Sequence, residues 1–562
     1  MKVSYLLSLV SNTSEPPSST IMMQPRQGPK EVVKGRNGVV SSSHPEVSRI
    51  MVDILKAGGN AVDAAVAGSL AGPVYEPHMT THSGTVSFLY WDAETRRPYF
   101  MDASPTLPEG LPPFCPHPYA PTTAAAIPGS TAGLESMLER FGSMEWRELV
   151  QPAAKAAREG HTVTSWEYAL LYGGAGGSSS TLQGRTFFPS GRAHYVPDGF
   201  QVPAGELWRR PDLAKTLEAS AEEGPSYFTE GRWAERLVEE ANSLGWGITL
   251  EHVAGYEPIW VEPVEIPCGE DEVVGIPPPQ RGGFYTGFLL GVIGYFDLAE
   301  MGHYTESAET LALMAWTLRR AHHDRNLIHD PDYYENPTEV LLSEEYHRVT
   351  AELWRRSRPT VDLTRYLRLT HGKTAHRGSL PGTDHVPHDS CELSIVDSMG
   401  NWVQMMETGG GGIPGVVVDG VPGSGIGWER YALAEPGGRT QHAIANTLVM
   451  RDGEPWMALG SPGDCIFTVP QVLVSVLVHG WEPYPAIDAP RFWPIRDDWT
   501  IEVESRLPLK VVKGLKRMGI MTRPLGEYHW PMGSMQTVWL DHETGLLNGT
   551  ADPRRLGNAD GY

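Results

Sequence analysis

The chain has 562 residues, more than one ordinary domain needs, and 40% of them are hydrophobic, enough for a sizeable core. Its formal net charge of −23 argues against nucleic acid or an anionic membrane surface as a partner. The four cysteines, Cys115, Cys268, Cys391 and Cys465, lie far apart and form no C-x-x-C, so no zinc site, redox pair or other cofactor is expected.

Residues 1–34 read as a poorly ordered polar tail. Its apolar run, Tyr5-Leu-Leu-Ser-Leu-Val, is weak as a secretory signal, and no later stretch approaches membrane-span length, so a cytoplasmic location is expected. Gly38-Val-Val-Ser-Ser predicts a short strand. Ser43-His-Pro-Glu predicts a helix start, with Ser43 as cap and Pro45 in the first turn. That helix stops at Gly58-Gly-Asn60, and an Ala-rich helix follows over 61–71. A hairpin is expected from Val86 to Asp92 and Pro98 to Asp102. A Gly-punctuated turn then leads from Ala124 into a helix. Residues 172–204 are Gly/Ser-rich and read as loop. Helical patterns return over 213–223, 233–244 and 309–326. Val274-Gly-Ile-Pro-Pro-Pro-Gln-Arg-Gly-Gly reads as a strand ending in a turn.

Two further hairpins are predicted, Leu393–Val396 with Trp402–Met406 and Thr447–Met450 with Trp456–Leu459. Asn401 reads as a turn residue of the first. Gly460-Ser-Pro-Gly-Asp-Cys465 is a turn ahead of an apolar helix over 469–478. No internal repeat is visible. Mixed helical and stranded segments imply an α/β or α+β fold.

Asp389-Ser390-Cys391 joins a loop, 370–388, to the run Leu393–Val396. A hydroxyl and a thiol at a strand start, after such a loop, fit an N-terminal-nucleophile (Ntn) hydrolase precursor. In such precursors cleavage frees an α-amine that serves as base. An ordinary loop entering an edge strand fits the same residues, and either Ser390 or Cys391 could be the nucleophile. His371, His376, His385 and His388 in the loop match no metal-ligand spacing.

A set of segments, in order, resembles the γ-glutamyltranspeptidase family. It comprises Ser43-His-Pro, Gly58-Gly-Asn-Ala-Val-Asp-Ala-Ala, Glu76-Pro-His-Met, Pro128-Gly-Ser-Thr-Ala-Gly, Arg210-Pro-Asp-Leu-Ala, Glu223-Gly-Pro and Gly275-Ile-Pro-Pro-Pro. It continues with Asp324-Arg325, Ser394-Ile-Val-Asp-Ser-Met-Gly-Asn, Arg451-Asp-Gly, Gly460-Ser-Pro-Gly and Ala489-Pro-Arg-Phe. The resemblance implies an α+β fold, a four-layer αββα sandwich. It also implies self-cleavage at Asp389–Ser390 into a large piece, 35–389 after the tail, and a small piece, 390–562, forming one interleaved unit.

In that register Ser390 stands where the family has its nucleophilic Thr, with Cys391 as the alternative nucleophile. Thr408 matches a Thr that hydrogen-bonds near the nucleophile. Gly463 and Asp464 fall at the oxyanion turn, where the Asp464 carboxylate is expected to point outward or to hold a ligand group. Departures cluster in substrate recognition. Ser104 replaces the Arg that binds the γ-glutamyl α-carboxylate, and a Ser cannot replace a bidentate cation. His442-Ala443 replaces a Ser pair, Glu392 replaces a His, and Glu429 is the only acid in a rebuilt segment. Glu429, Arg430 and His442, with Trp428 and Tyr431, are candidates for a different acyl pocket. The expected function is an Ntn amidohydrolase or acyltransferase acting on a small amide or peptide other than glutathione. The alternative is a degenerate, unprocessed member with a binding or non-hydrolytic biosynthetic role. Oligomeric state is left open.

Overall fold

Two seven-stranded antiparallel sheets stack between two helical layers in the computed structural model, which describes residues 28–109, 124–173, 182–357, 390–409, 416–423, 425–426, 435–494 and 500–562. The first sheet runs, in spatial order, Val33–Gly35, Leu546–Ala551, Gln536–Asp541, Glu454–Gly460, Thr447–Arg451, Asp271–Gly275 and Val264–Cys268. The second runs Asn558–Gly561, Val39–Ser42, Cys391–Val396, Trp402–Thr408, Thr85–Asp92, Arg97–Ala103 and Ile259–Val261. Helices Pro45–Lys56, Ala61–Tyr75 and Ser130–Phe141 cover the outer face of the second sheet. Gly282–Ile293 and Cys465–Leu473 cover the first. This is the α+β, four-layer αββα sandwich that the motifs imply.

The central strands come from both sides of residue 390. Cys391–Val396 lies between Val39–Ser42 and Trp402–Thr408, and Trp402–Thr408 pairs in turn with Thr85–Asp92. All six residues of Cys391–Val396 are buried, so period-two alternation assigns each to one of two interiors. Leu393 and Ile395 join the core beneath the helices. Glu392 and Ser394 face the other sheet: a Cβ at Gly460 would lie 2.1 Å from Glu392 Oε1, and Ser394 Oγ donates to Gln536 O at 2.9 Å.

Several expected bounds shift for identifiable reasons. Strand pairing begins at Val33, just ahead of the boundary expected at residue 35; residues 1–27 lie outside the described set. The first helix is capped by His44 rather than Ser43, with His44 Nδ1 accepting from Glu46 N at 3.2 Å. Ser43 Oγ instead accepts from Glu392 N at 3.0 Å, across to the neighbouring strand. The Ala-rich helix continues past Ala71 to Tyr75, through Pro73. Helix-end carbonyls need partners, and the buried Arg210 guanidinium supplies them to Pro73 O and Val74 O. The stretch read as loop over 172–204 holds two short helices, Leu182–Arg185 and Pro189–Tyr195. The last apolar helix starts early, at Cys465.

Candidate active site

Four adjacent strand ends form one row. Cys391 pairs with Glu407, so one residue further Ser390 lies across from Thr408. Thr408 pairs with Thr85, and Val86 with Ala103, which brings Ser104 across from Thr85. Alternation turns all four side chains the same way. Ser390 shares the side of Glu392 and Ser394, and Thr408 that of Gln404 and Met406. Thr85 shares the side of Ser87 and Leu89, and Ser104 that of Phe100 and Asp102. This side faces the first sheet. Ser390 is 4% exposed and Thr408 7%.

Cys391 takes the opposite side. Its Sγ donates to Glu76 Oε2 at 3.0 Å, and it packs with Met79, Trp166, Leu170 and Trp530. Burial, reinforced by the adjacent Glu76 carboxyl, holds the thiol well above its ordinary range. Burial also pushes Glu76 up to about 7, against the Cys391 hydrogen bond and the Arg555 charge. Two more buried carboxyls, Glu392 and Glu407, are raised well above the usual range, chiefly by burial. Glu392 Oε1 accepts from Gln404 Nε2 at 2.6 Å, and Ser69 Oγ donates to Glu407 Oε2 at 2.5 Å.

The turn after Glu454–Gly460 approaches the same end from the first sheet. Gly463 has φ +81, a left-handed conformation that favours glycine. Asp464 N donates to Pro531 O at 3.3 Å, and among the described residues the Gly463 N–H meets no acceptor. The Asp464 side chain does not point outward. Asp464 is 3% exposed, and burial raises its carboxyl well above the ordinary range despite the neighbouring Arg555 guanidinium. Arg555 is itself buried, its Nε donating to Trp530 O at 3.3 Å.

Ser104 and His442 meet through a residue that local sequence did not single out. Gln280 Nε2 donates to Ser104 Oγ at 2.9 Å and to Asp102 Oδ2 at 2.7 Å, and Gln280 Oε1 accepts from His442 N at 2.9 Å. His442 Nε2 lies 3.3 Å from Thr85 Oγ1 and 2.8 Å from Thr440 Oγ1. Nothing in a Pro-Pro-Gln-Arg-Gly turn announces such a bridge. Thr85, Glu76 and Arg555 were likewise silent as site residues, although Glu76 opens one of the family motifs. Glu429, Arg430, Trp428 and Tyr431 lie outside the described residues, as do Asp389 and the loop 370–388 with its histidines. Asn401 is the expected turn residue, its Nδ2 donating to Asp397 Oδ2 at 2.8 Å. Among the described residues no group of three His, Cys, Asp or Glu could hold a metal, and no helix is long and apolar enough to cross a membrane.

Two helical layers around two antiparallel sheets, with the family match over most of the chain, define the class as an Ntn hydrolase, an enzyme acting on amide bonds. The solved cephalosporin acylase from Bacillus halodurans shares the fold, with a TM-score of 0.78 at 24% identity over 98% of this chain and 99% of that one. The glutathione hydrolase proenzyme of Bacillus subtilis (strain 168) is 26% identical over 570 residues, 95% of this chain and 92% of that protein. The acylase ACY 1 proenzyme of Pseudomonas sp. (strain SE83) is 26% identical over 520 residues, 87% of this chain and 88% of that protein. The family described as gamma-glutamyltranspeptidase matches residues 47–562. The chain belongs to the γ-glutamyltranspeptidase family.

Proposed function

We propose that the protein is an amidohydrolase or acyltransferase that matures by cleaving Asp389–Ser390 and works through an acyl-enzyme on Ser390. The observation that carries this reading is the sorting of two neighbouring side chains. Ser390 heads the row with Thr408 and Thr85, whereas Cys391 turns beneath the helices and keeps its proton beside Glu76. A protonated, buried thiol is a poor rival nucleophile.

The chemistry needs few parts. A hydroxyl must lose its proton to attack an amide carbonyl. Cleavage would leave the Ser390 α-amine, with a pKa of about 7.7–8, as a base on the same residue. The attack forms the C–O bond while the amine takes the hydroxyl proton and passes it to the leaving nitrogen. Water or an acceptor amine then releases the acyl group. Thr408 is the neighbour suited to orient the Ser390 hydroxyl. The Gly463 N–H is the candidate oxyanion donor, a role worth a few kcal/mol. The pieces 35–389 and 390–562 would stay together, because strands of both pair side by side in the second sheet.

A substrate other than glutathione fits the wall around Ser104. Its side chain, like those of Asp102 and Gln280, is committed to a closed hydrogen-bonded set that holds no arginine or lysine. Denaturing mass analysis tests the maturation step. Two species, the smaller beginning at Ser390, are expected. One full-length species after prolonged incubation overturns the reading, and a smaller species beginning at Cys391 moves the nucleophile.

A further inference from the structure

One side chain bridges the two sheets at the far end of the strand-end row. Gln280 follows the strand Asp271–Gly275 of the first sheet and is 1% exposed. Its amide nitrogen donates to Asp102 and Ser104 on the second sheet, and its oxygen accepts the His442 N–H. Only a primary amide offers both donors and an acceptor at one tip, so neither Glu nor Ala reproduces the bridge. The circuit closes back on the row, since the His442 ring reaches Thr85, the cross-strand partner of Thr408.

The two arginines near this wall make hydrogen bonds or ion pairs with other side chains. Arg439 is paired with Asp330 and Asp332, and Arg281 donates to Gln441. Ser104 lies three strand spacings from Ser390, about 14 Å. An acyl group attached to Ser390 and extending along the row therefore runs toward a wall of hydrogen-bonded polar groups that includes the Asp102 carboxyl. A carboxylate at its tip would meet the Asp102 carboxyl, whose two oxygens already accept from Gln280 Nε2 and Ser104 N.

We propose that Gln280 is the specificity-determining residue of the acyl site, its carboxamide closing the row between Ser104 and His442 and restricting the acyl group to a neutral chain that ends short of that wall. The inference rests on Ser390 as the acylated residue. Removing the carboxamide lengthens the accepted chain, and retracting it by one methylene does so by less.

The test uses the full chain, Gln280→Ala and Gln280→Asn, and a panel of p-nitroanilides carrying butyryl, hexanoyl, octanoyl, glutaryl and γ-glutamyl groups. In the unaltered protein the neutral acyl groups should exceed glutaryl and γ-glutamyl in kcat/KM. In Gln280→Ala the octanoyl-to-butyryl ratio should rise about tenfold or more, with Gln280→Asn between, because one methylene in a fitted pocket is worth about tenfold or more. A purely structural role would lower all substrates together and leave their order intact. The second variant keeps an amide, which guards against failure to fold. Intact mass of the same samples reports maturation. Processed protein with an unchanged acyl order, or with no turnover of the neutral members, overturns the Gln280 assignment alone. Chain that is never processed at Ser390 overturns the Ser390 reading and this inference with it.

Discussion

The Cys391 thiol and the Glu76 carboxylate, 315 residues apart in sequence, meet with Sγ 3.0 Å from Oε2 on the side of the strand that faces away from the row headed by Ser390. The contact sorts a thiol and a hydroxyl that are neighbours in the chain into different surroundings. Ser390→Ala should therefore leave one full-length species and lower amide hydrolysis by about 10⁴-fold or more, since the nucleophile and its base lie on one residue. Cys391→Ser should still mature and retain activity within about tenfold. Intact mass and steady-state rates on an amide panel read both outcomes, and a processed Ser390→Ala protein would exclude the assignment.

Glu76 gives a pH dependence of definite sign. The folded carboxyl titrates at about 7, above its ordinary value of 4.5. Between those values the folded chain holds a proton that the unfolded chain has released. The contribution of this group to stability is therefore greatest at low pH, falls as pH rises through the window, and is level above it. The loss amounts to about 3 kcal/mol. Glu76→Gln keeps an acceptor for the thiol and cannot ionise. Urea melts at pH 5 and pH 8 should show a smaller difference in the variant than in the parent. An equal difference would show that Glu76 does not carry the effect.

Gly463→Ala should both destabilise the protein and lower its activity. A residue with a Cβ at φ +81 costs about 1–2 kcal/mol. The added carbon would also lie 2.8 Å from Arg555 Nη2 and 2.9 Å from Pro531 O, so the turn must shift. Because the same turn carries the proposed oxyanion donor, kcat should fall more than KM changes. Denaturant melts and steady-state kinetics measure the two effects separately.

The floor of the first sheet holds a buried charge network. Arg554 is bidentate to Glu504, with Nε–Oε1 at 2.7 Å and Nη2–Oε2 at 2.6 Å, and it also reaches Asp552, which pairs with Arg491. Removing Arg554 strips buried Glu504 of its bidentate partner, leaving it the ion pair with Arg506 Nη2 at 3.1 Å, and takes one of two arginines from Asp552. Arg554→Met should cost about 3–5 kcal/mol. Arg554→Lys should recover little, because an ammonium cannot bridge both carboxylate oxygens. Thermal melts at neutral pH compare the three proteins, and a melting temperature in Arg554→Met equal to that of the parent would refute the expectation.

Local signals carried much of the fold. Alternation over 393–396 and 402–406, with Asp397 to Asn401 between, is enough to propose the central hairpin, and the hairpin, extended to Cys391 and Thr408, brings Thr408 opposite Ser390. Capping was less legible. Ser43 has the right chemistry for a cap, yet its hydroxyl is used by Glu392 N across the sheet, and His44 caps instead. The orientation of Asp464 was not legible either, because a carboxyl beside a turn points outward by default until a buried Arg555 from the C-terminal region arrives next to it.

Sequence by itself determined the ordered motifs, the strand that Ser390 heads, and the uncharged side chain at residue 104. Those are local properties, set by a period of two, by turn residues and by which atoms a side chain owns. Only the tertiary structure decided that Cys391 belongs to Glu76, that Gly463 stands beside Arg555, and that Gln280 ties Ser104 to His442. Each of those contacts joins segments from 92 to 315 residues apart. They exist because two sheets close on each other face to face, and no short-range pattern in the chain records which buried polar groups will then be left to satisfy one another.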